Sequence, residues 1–356
     1  MKRMIFALVL VGALILSGCG EPAQAATDPA EIPVTEAATE TFLETEPSET
    51  TMPSQTQEEP AETLPEAPEE PLVLCCSEVT LIQEGQSIQL YTGSRDSNQI
   101  VWSSSDPQIV TVEDGLVTFL SEGDARITAT TPWEEVSCLV HCDPGYDHRK
   151  PLMLPPQEQY VPDSYFDDAV FVGDSVTYII SVYATDQNAL GNAQYLCRSS
   201  YSIHNGIINY IKLTYRGEEY RFEDAIAATG CKKVFILLGV NDLGVHGVDQ
   251  TIQEWSIYLE RIRKTCPDVS IYIISLLPMW PGSEHKTLTN SNIDTYNSKL
   301  AELARQENCH FIDVAPYMKA ADGALAEGYC SDEYVHPSRL GSTVFMQVLK
   351  AYTGYQ

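Results

Sequence analysis

The chain has 356 residues, with 21 Lys and Arg against 50 Asp and Glu, and a formal net charge of −29 at pH 7. No basic stripe or patch interrupts this acidity, which excludes nucleic acid and anionic lipid surfaces as partners recognised by charge. Ten cysteines are too many to ignore and, with no CxxC pair or His-rich spacing, do not describe a metal site.

Lys2 and Arg3 precede an apolar run from Met4 to Leu16, followed by Ser17, Gly18 and Cys19. A charged start and a short apolar core predict a secretory signal over residues 1–19, too short for a spanning helix of about 20 residues. Leu16-Ser17-Gly18-Cys19 resembles a bacterial lipoprotein box. The resemblance implies lipidation of Cys19, which two acyl chains make a stable anchor. The protein is then expected on the outer face of a bacterial cell membrane. Residues 20–73 are dominated by Glu, Pro, Thr and Ala; up to Leu72 they hold 14 Asp and Glu and no Lys or Arg. Such a segment cannot bury enough apolar surface to offset its ordering entropy. It predicts a disordered acidic tether, spanning about 40 Å as a coil and about 160 Å fully extended.

Residues 74–145 predict a small β-domain. Short, partly alternating runs begin near Val79, Ser87, Ile100, Ile109, Leu116, Ala125 and Val136, separated by turn pairs such as Asp114-Gly115 and Gly123-Asp124. Seven strands at that spacing suggest a sandwich. Trp102-Ser103-Ser104-Ser105-Asp106, then Ile109-Val110-Thr111-Val112, Gly115-Leu116-Val117-Thr118 and Gly123 to Ala129 resemble the bacterial immunoglobulin-like domain of group 2. The resemblance implies a spacer or adhesive module with cell-wall contact, and no chemistry of its own. Assigning Cys19 to lipid leaves nine cysteines in an oxidising setting, an odd count. Cys75 or Cys76 could reach Cys138 or Cys142 across the β-domain, and Cys231, Cys266 and Cys309, each before a strand-like run, are further candidates for pairing.

From residue 160 to 356 strands and helices alternate. Val170 to Gly173, Ala193 to Cys197, Lys232 to Gly239, Ser270 to Leu277 and His310 to Val314 are strand-like. Between them Ile252, Trp255, Leu259 and Ile262, then Ile293, Tyr296, Leu300 and Leu303, repeat at helical spacing, and a last helix is predicted over 338–352. This pattern predicts an α/β domain with a parallel sheet. In such a sheet ligands bind beyond the carboxyl ends of the strands. Val170-Phe171-Val172-Gly173-Asp174-Ser175 therefore places Ser175 at a strand-to-helix turn, with its hydroxyl exposed and its N–H free to face an anion. Gly239-Val240-Asn241-Asp242 puts Asn241 at a second strand end, and Ser331-Asp332-Glu333-Tyr334-Val335-His336-Pro337 follows near the C-terminus.

These three blocks, in this order over residues 165–352, resemble the SGNH (GDSL-type) hydrolase family. The resemblance implies a three-layer, flavodoxin-like parallel-sheet fold behind the immunoglobulin-like sandwich, and serine esterase chemistry with no cofactor and no metal. By the family pattern Ser175 is the nucleophile and His336 its base. The orienting acid departs from the pattern: the position three before His336 holds Glu333, and Asp332 stands four before. Asp332 is preferred, with Glu333 as the alternative acid. The oxyanion hole is expected from the Ser175 N–H, the Asn241 side-chain amide and the N–H of Ser200, which stands where the family has glycine. Asp174 and Asp242 are expected to hold loops.

The expected substrate is an acylated carbohydrate or other cell-wall ester losing a short acyl group. Trp280 and Met279 are candidates to line its pocket, with loop packing as the plainer role. A lipase or lysophospholipase, or a non-catalytic surface-binding protein, are the alternatives.

Overall fold

The computed structural model describes residues 72–93, 100–157 and 161–352. The signal segment, Cys19 and nearly all of the tether lie outside the described residues. Within the described residues no helix is long and apolar enough to cross a membrane.

The first part is the two-sheet β-domain. Strands β1 (Glu78–Leu81), β2 (Ser87–Gln89), β3 (Val101–Ser104), β4 (Val110–Glu113), β5 (Leu116–Phe119), β6 (Gly123–Thr130) and β7 (Glu135–Cys142) follow the seven predicted runs. They form one sheet in the order β3-β6-β7-β1 and a second in the order β2-β5-β4. Alternation explains the faces: Ala125, Ile127 and Ala129 of β6 and Cys138, Val140 and Cys142 of β7 are buried, their neighbours are not. Asp114 and Gly115, at φ 47° and 78°, make the two-residue hairpin between β4 and β5. All nine described cysteines are free thiols. Of the pairings open in the sequence, the fold brings Cys76 and Cys138 together, with Sγ atoms 3.5 Å apart.

The β-domain does not end at β7. In the connection that follows, β8 (Met153–Leu154) adds antiparallel to the free edge of β1. The same connection gives backbone bonds to the second domain: Leu152 N–H donates to Lys319 O, and the carbonyls of His148 and Arg149 accept from Ala321 and Glu327. The hydroxyls of Tyr317 and Tyr352 touch one another and donate to the carbonyl of Cys75, at 2.5 and 2.8 Å. A sheet edge that would otherwise offer unpaired backbone groups is thereby covered.

The second part is the α/β domain. Its strands β9 (Ala169–Gly173), β10 (Gln194–Cys197), β13 (Lys233–Leu237), β14 (Ser270–Ile274) and β15 (His310–Ile312) are all parallel, in the order β10-β9-β13-β14-β15. A small hairpin of β11 (Leu213–Tyr215) and β12 (Glu218–Tyr220) lies outside this sheet. Helices α1 (Ser175–Asp186) and α6 (Ala315–Met318) pack with α7 (Arg339–Tyr352), while α2 (Ile203–Ile207), α3 (Phe222–Thr229) and α5 (Asn290–Gln306) gather on α4 (Val240–Thr265). Two helical layers thus enclose a doubly wound sheet.

A row of aromatic rings crosses the sheet. Tyr195, Phe171, Phe235, Tyr272 and His310, one from each strand, pair in register and stack ring on ring with centroid separations of 5.5, 4.8, 4.4 and 4.4 Å. Each aromatic pair contributes about 0.5–1.5 kcal/mol beyond its buried area.

In the β-domain, His141 on β7 bridges Glu78 of β1 and Asp124 of β6, each at 2.8 Å. Partial burial disfavours its charge, but hydrogen bonds and charge from Asp124 and Glu78 outweigh this and raise its pKa above 6.5. The clamp therefore adds stability that is complete below pH 6.5 and lost as pH rises through the raised value. Thermal melts from about pH 5 to about pH 9 are expected to show this loss, worth less than about 1 kcal/mol because the pair partners are exposed. His141→Gln should abolish that part of the slope.

Candidate active site

The site lies where the strand order reverses. Strand β9 has β10 on one side and β13 on the other, and the turns after these three strands carry Ser175, Ser200 and Asn241. Paired register aligns Cys197, Gly173 and Leu237, so the three turns leave the sheet at one level. Gly173 is needed there: a Cβ would be driven into Thr177 Oγ1 and the Leu237 carbonyl. Asp174 then caps α1, its Oδ1 accepting from Val176 N–H at 2.9 Å. Ser175 is the first residue of α1, so its N–H has no intrahelical acceptor.

His336 arrives from the loop before α7, closed by a bridge between Cys330 and Pro337 and a Ser331 N–H bond to His336 O. Its Nε2 lies 2.8 Å from Ser175 Oγ and its Nδ1 lies 2.5 Å from Asp332 Oδ2. Asp332 Oδ1 accepts the backbone N–H groups of Tyr334, Val335 and His336 at 3.0, 3.2 and 3.2 Å. Burial opposes ionisation of Asp332, yet the His336 ring and these N–H groups hold its carboxyl below the ordinary value. The carboxylate at His336 is thus that of Asp332. Glu333 sits at the bend with φ 55° and is exposed. A left-handed residue at this point takes up the extra residue of the loop, so that the acid four before the histidine folds back onto it.

Ser200 also takes a left-handed backbone, φ 55°, in a turn closed by Tyr201 N–H to Arg198 O at 3.0 Å. A serine therefore occupies the conformation that glycine usually supplies, and its side chain is exposed. Asn241 is in the first turn of α4, with its Nδ2 bonded to Asp174 Oδ2 at 2.8 Å and to the Tyr201 carbonyl at 3.1 Å. Both amide protons are committed, one of them within the Ser200 turn. Gly239, at φ 130°, lets the chain turn under the Tyr296 hydroxyl, which donates to Leu238 O.

Asp242 is fully buried and accepts from Ile203 and His204 N–H at 3.1 and 3.0 Å, ordering the start of α2. Burial raises its pKa. Met279 is buried in the core. Trp280 is half-buried, and its backbone N–H donates to Tyr334 O at 2.8 Å, bracing the His336 loop. Sequence reasoning missed two contacts: the Asp174 link to Asn241, and Cys330, whose thiol lies 3.5 Å from Asp332 Oδ1. A G-D-S turn and an isolated cysteine carry no local signal of either. Among the described residues no group of His, Cys, Asp and Glu is arranged to hold a metal.

A hydroxyl, an imidazole and a carboxylate thus lie in line at the switch point of a parallel sheet. Residues 171–344 match the GDSL-like Lipase/Acylhydrolase family, and residues 77–133 match the Bacterial Ig-like domain (group 2). The chain carries a GDSL-like acylhydrolase domain preceded by a bacterial Ig-like domain. Similar solved structures include a GDSL-like lipase from Bacteroides thetaiotaomicron, at 16% identity and TM-score 0.42, covering 55% of this chain and 90% of that one. A carbohydrate esterase family 3 protein from Talaromyces cellulolyticus is similar at 15% identity and TM-score 0.37, covering 51% of this chain and 94% of its own. A search of curated proteins finds no match.

The two candidate acids separate by mutation. Asp332→Asn is expected to lower kcat for ester hydrolysis by about 10³- to 10⁴-fold, since it strands the imidazole in the wrong tautomer. Glu333→Gln, at an exposed position, should stay within about two-fold. Steady-state kinetics on both variants checks this.

Proposed function

We propose that the protein is a serine esterase that removes short acyl groups, acetyl foremost, from carbohydrate or cell-wall esters. The observation that carries the reading is the 2.8 Å contact of Ser175 Oγ with His336 Nε2, backed by Asp332 on Nδ1. A serine hydroxyl is a weak nucleophile at neutral pH and needs a base at hydrogen-bond distance.

In this reading Asp332 fixes the His336 tautomer with the proton on Nδ1, leaving Nε2 to take the Ser175 proton as Oγ attacks the ester carbonyl. The carbonyl oxygen becomes an oxyanion facing the N–H groups of Ser175 and Ser200 and the Asn241 amide. His336 then delivers its proton to the leaving alkoxide, which departs as an alcohol, and an acyl-serine remains. Water, deprotonated by His336, attacks the acyl-serine by the same route and releases the acid. Each oxyanion donor is typically worth about 3–4 kcal/mol in the barrier. Side chains and backbone supply all of this chemistry, so the mechanism calls for no cofactor.

The carbohydrate or wall substrate rests on placement: lipidation at Cys19 and the acidic tether would hold the enzyme outside the cell membrane, with the Ig-like domain in reach of the wall.

Hydrolysis of p-nitrophenyl acetate, butyrate and octanoate by the purified protein tests the reading. Acetate is expected to be preferred, with Ser175→Ala lowering kcat by about 10⁴-fold or more. Preference for octanoate would favour a lipase, and turnover unaffected by Ser175→Ala would sink the serine mechanism.

A further inference from the structure

We propose that Asp174 is the positioning residue of the oxyanion hole, its carboxylate fixing which face of the Asn241 amide is offered to substrate. The inference rests on the serine-esterase reading of Ser175 and His336.

Asp174 is 1% exposed and makes two hydrogen bonds from two oxygens. Oδ1 caps the helix that presents Ser175, and Oδ2 takes one proton of the Asn241 amide. Capping alone does not require an aspartate. Serine or asparagine caps a helix about as well and carries no charge into the core. The charged form here is costly: burial pushes the Asp174 carboxyl up to about 7, against the help of Val176 N–H, His336 and Asn241 and with Asp242 opposing. The other titratable groups whose charge reaches it are Cys197 on β10 and Tyr296 on α5. A cost of that kind at a cap calls for a second duty, and the remaining contact is Asn241.

The chemistry of the pair supplies that duty. An amide has one face that donates and one that accepts, and in isolation the two are interchangeable by a half-turn. An ionised carboxylate only accepts, so it forces Asn241 to present nitrogen. With one proton held by Asp174, the second points along the Ser200 turn at the Tyr201 carbonyl, 3.1 Å away. That longer bond is the one an oxyanion takes over. An asparagine at 174 would turn an amino group toward Asn241, and the half-turn that relieves the clash would offer the oxyanion a carbonyl oxygen instead of a donor.

The test uses the full chain with p-nitrophenyl acetate and the variants Asp174→Asn, Asp174→Ser, Asn241→Ala and Asp174→Asn/Asn241→Ala. Both substitutions at 174 keep a cap, so either one that folds serves. The expected result is a kcat lowered about 10²-fold or more with KM little changed. The double variant should be no slower than Asn241→Ala, because both changes remove one function. Stability should move the other way. An acid with a raised folded pKa withdraws stability as pH rises from about 4 to about 7. Asp174→Asn should remove that decline and hold or raise the melting temperature above pH 7. A kcat at the wild-type level in both 174 variants, or losses that multiply in the double variant, would overturn the proposal. Full activity of Ser175→Ala is a separate result, and would bring down the hydrolase reading itself.

Discussion

The aromatic ladder across the parallel sheet is the constraint on which the rest of the site depends. Tyr195, Phe171, Phe235, Tyr272 and His310 stack in one row, and two residues beyond the first three of them lie Cys197, Gly173 and Leu237, also in register. A parallel sheet could slide, and a slip of one residue would reverse every side chain's face. Stacked rings resist that slip because each must find its neighbour at contact distance. The turns after β9, β10 and β13 therefore emerge at one height, and the groups they carry meet without further adjustment.

The Ig-like domain is bound into this scaffold. A resemblance to group 2 domains implies a spacer, yet β8 joins its sheet while the same connection bonds to Lys319, Ala321 and Glu327. Those three residues belong to the segment that runs on into Cys330 and the His336 loop. Tyr317 and Tyr352, on α6 and α7, add two hydroxyls to the Cys75 carbonyl. The chain that delivers the histidine is thus braced from the β-domain side, and loops held at both ends lose less entropy when they order around a substrate.

Three carboxylates near the site show how environment divides roles among like groups. Asp332, in an open loop and surrounded by N–H donors and an imidazole, is held below its ordinary pKa. Asp174 and Asp242, buried at the feet of helices, are pushed up. The low one keeps its charge beside the His336 ring. The buried ones serve as acceptors that orient backbone and amide groups, at a cost in stability.

Much of this was legible in the chain before folding. Strand and helix order, the seven β-runs and the strand-end positions of Ser175 and Asn241 follow from local period and turn chemistry, which are written over short stretches of neighbouring residues, whereas His336 was marked by the resemblance to the SGNH family. The acid was legible only as a pair, because Asp332 and Glu333 differ by one position and the choice depends on a left-handed bend at Glu333. The ladder, the Asp174 bond to Asn241, the approach of Cys76 to Cys138 and the brace at Cys75 are contacts between residues tens to hundreds of positions apart. Sequence alone determined the kinds of element and the reactive groups at their ends, since backbone preferences and hydrophobic period are local. Only the tertiary structure decided which of those groups meet, because register, burial and hydrogen-bond geometry exist only once distant segments share a core.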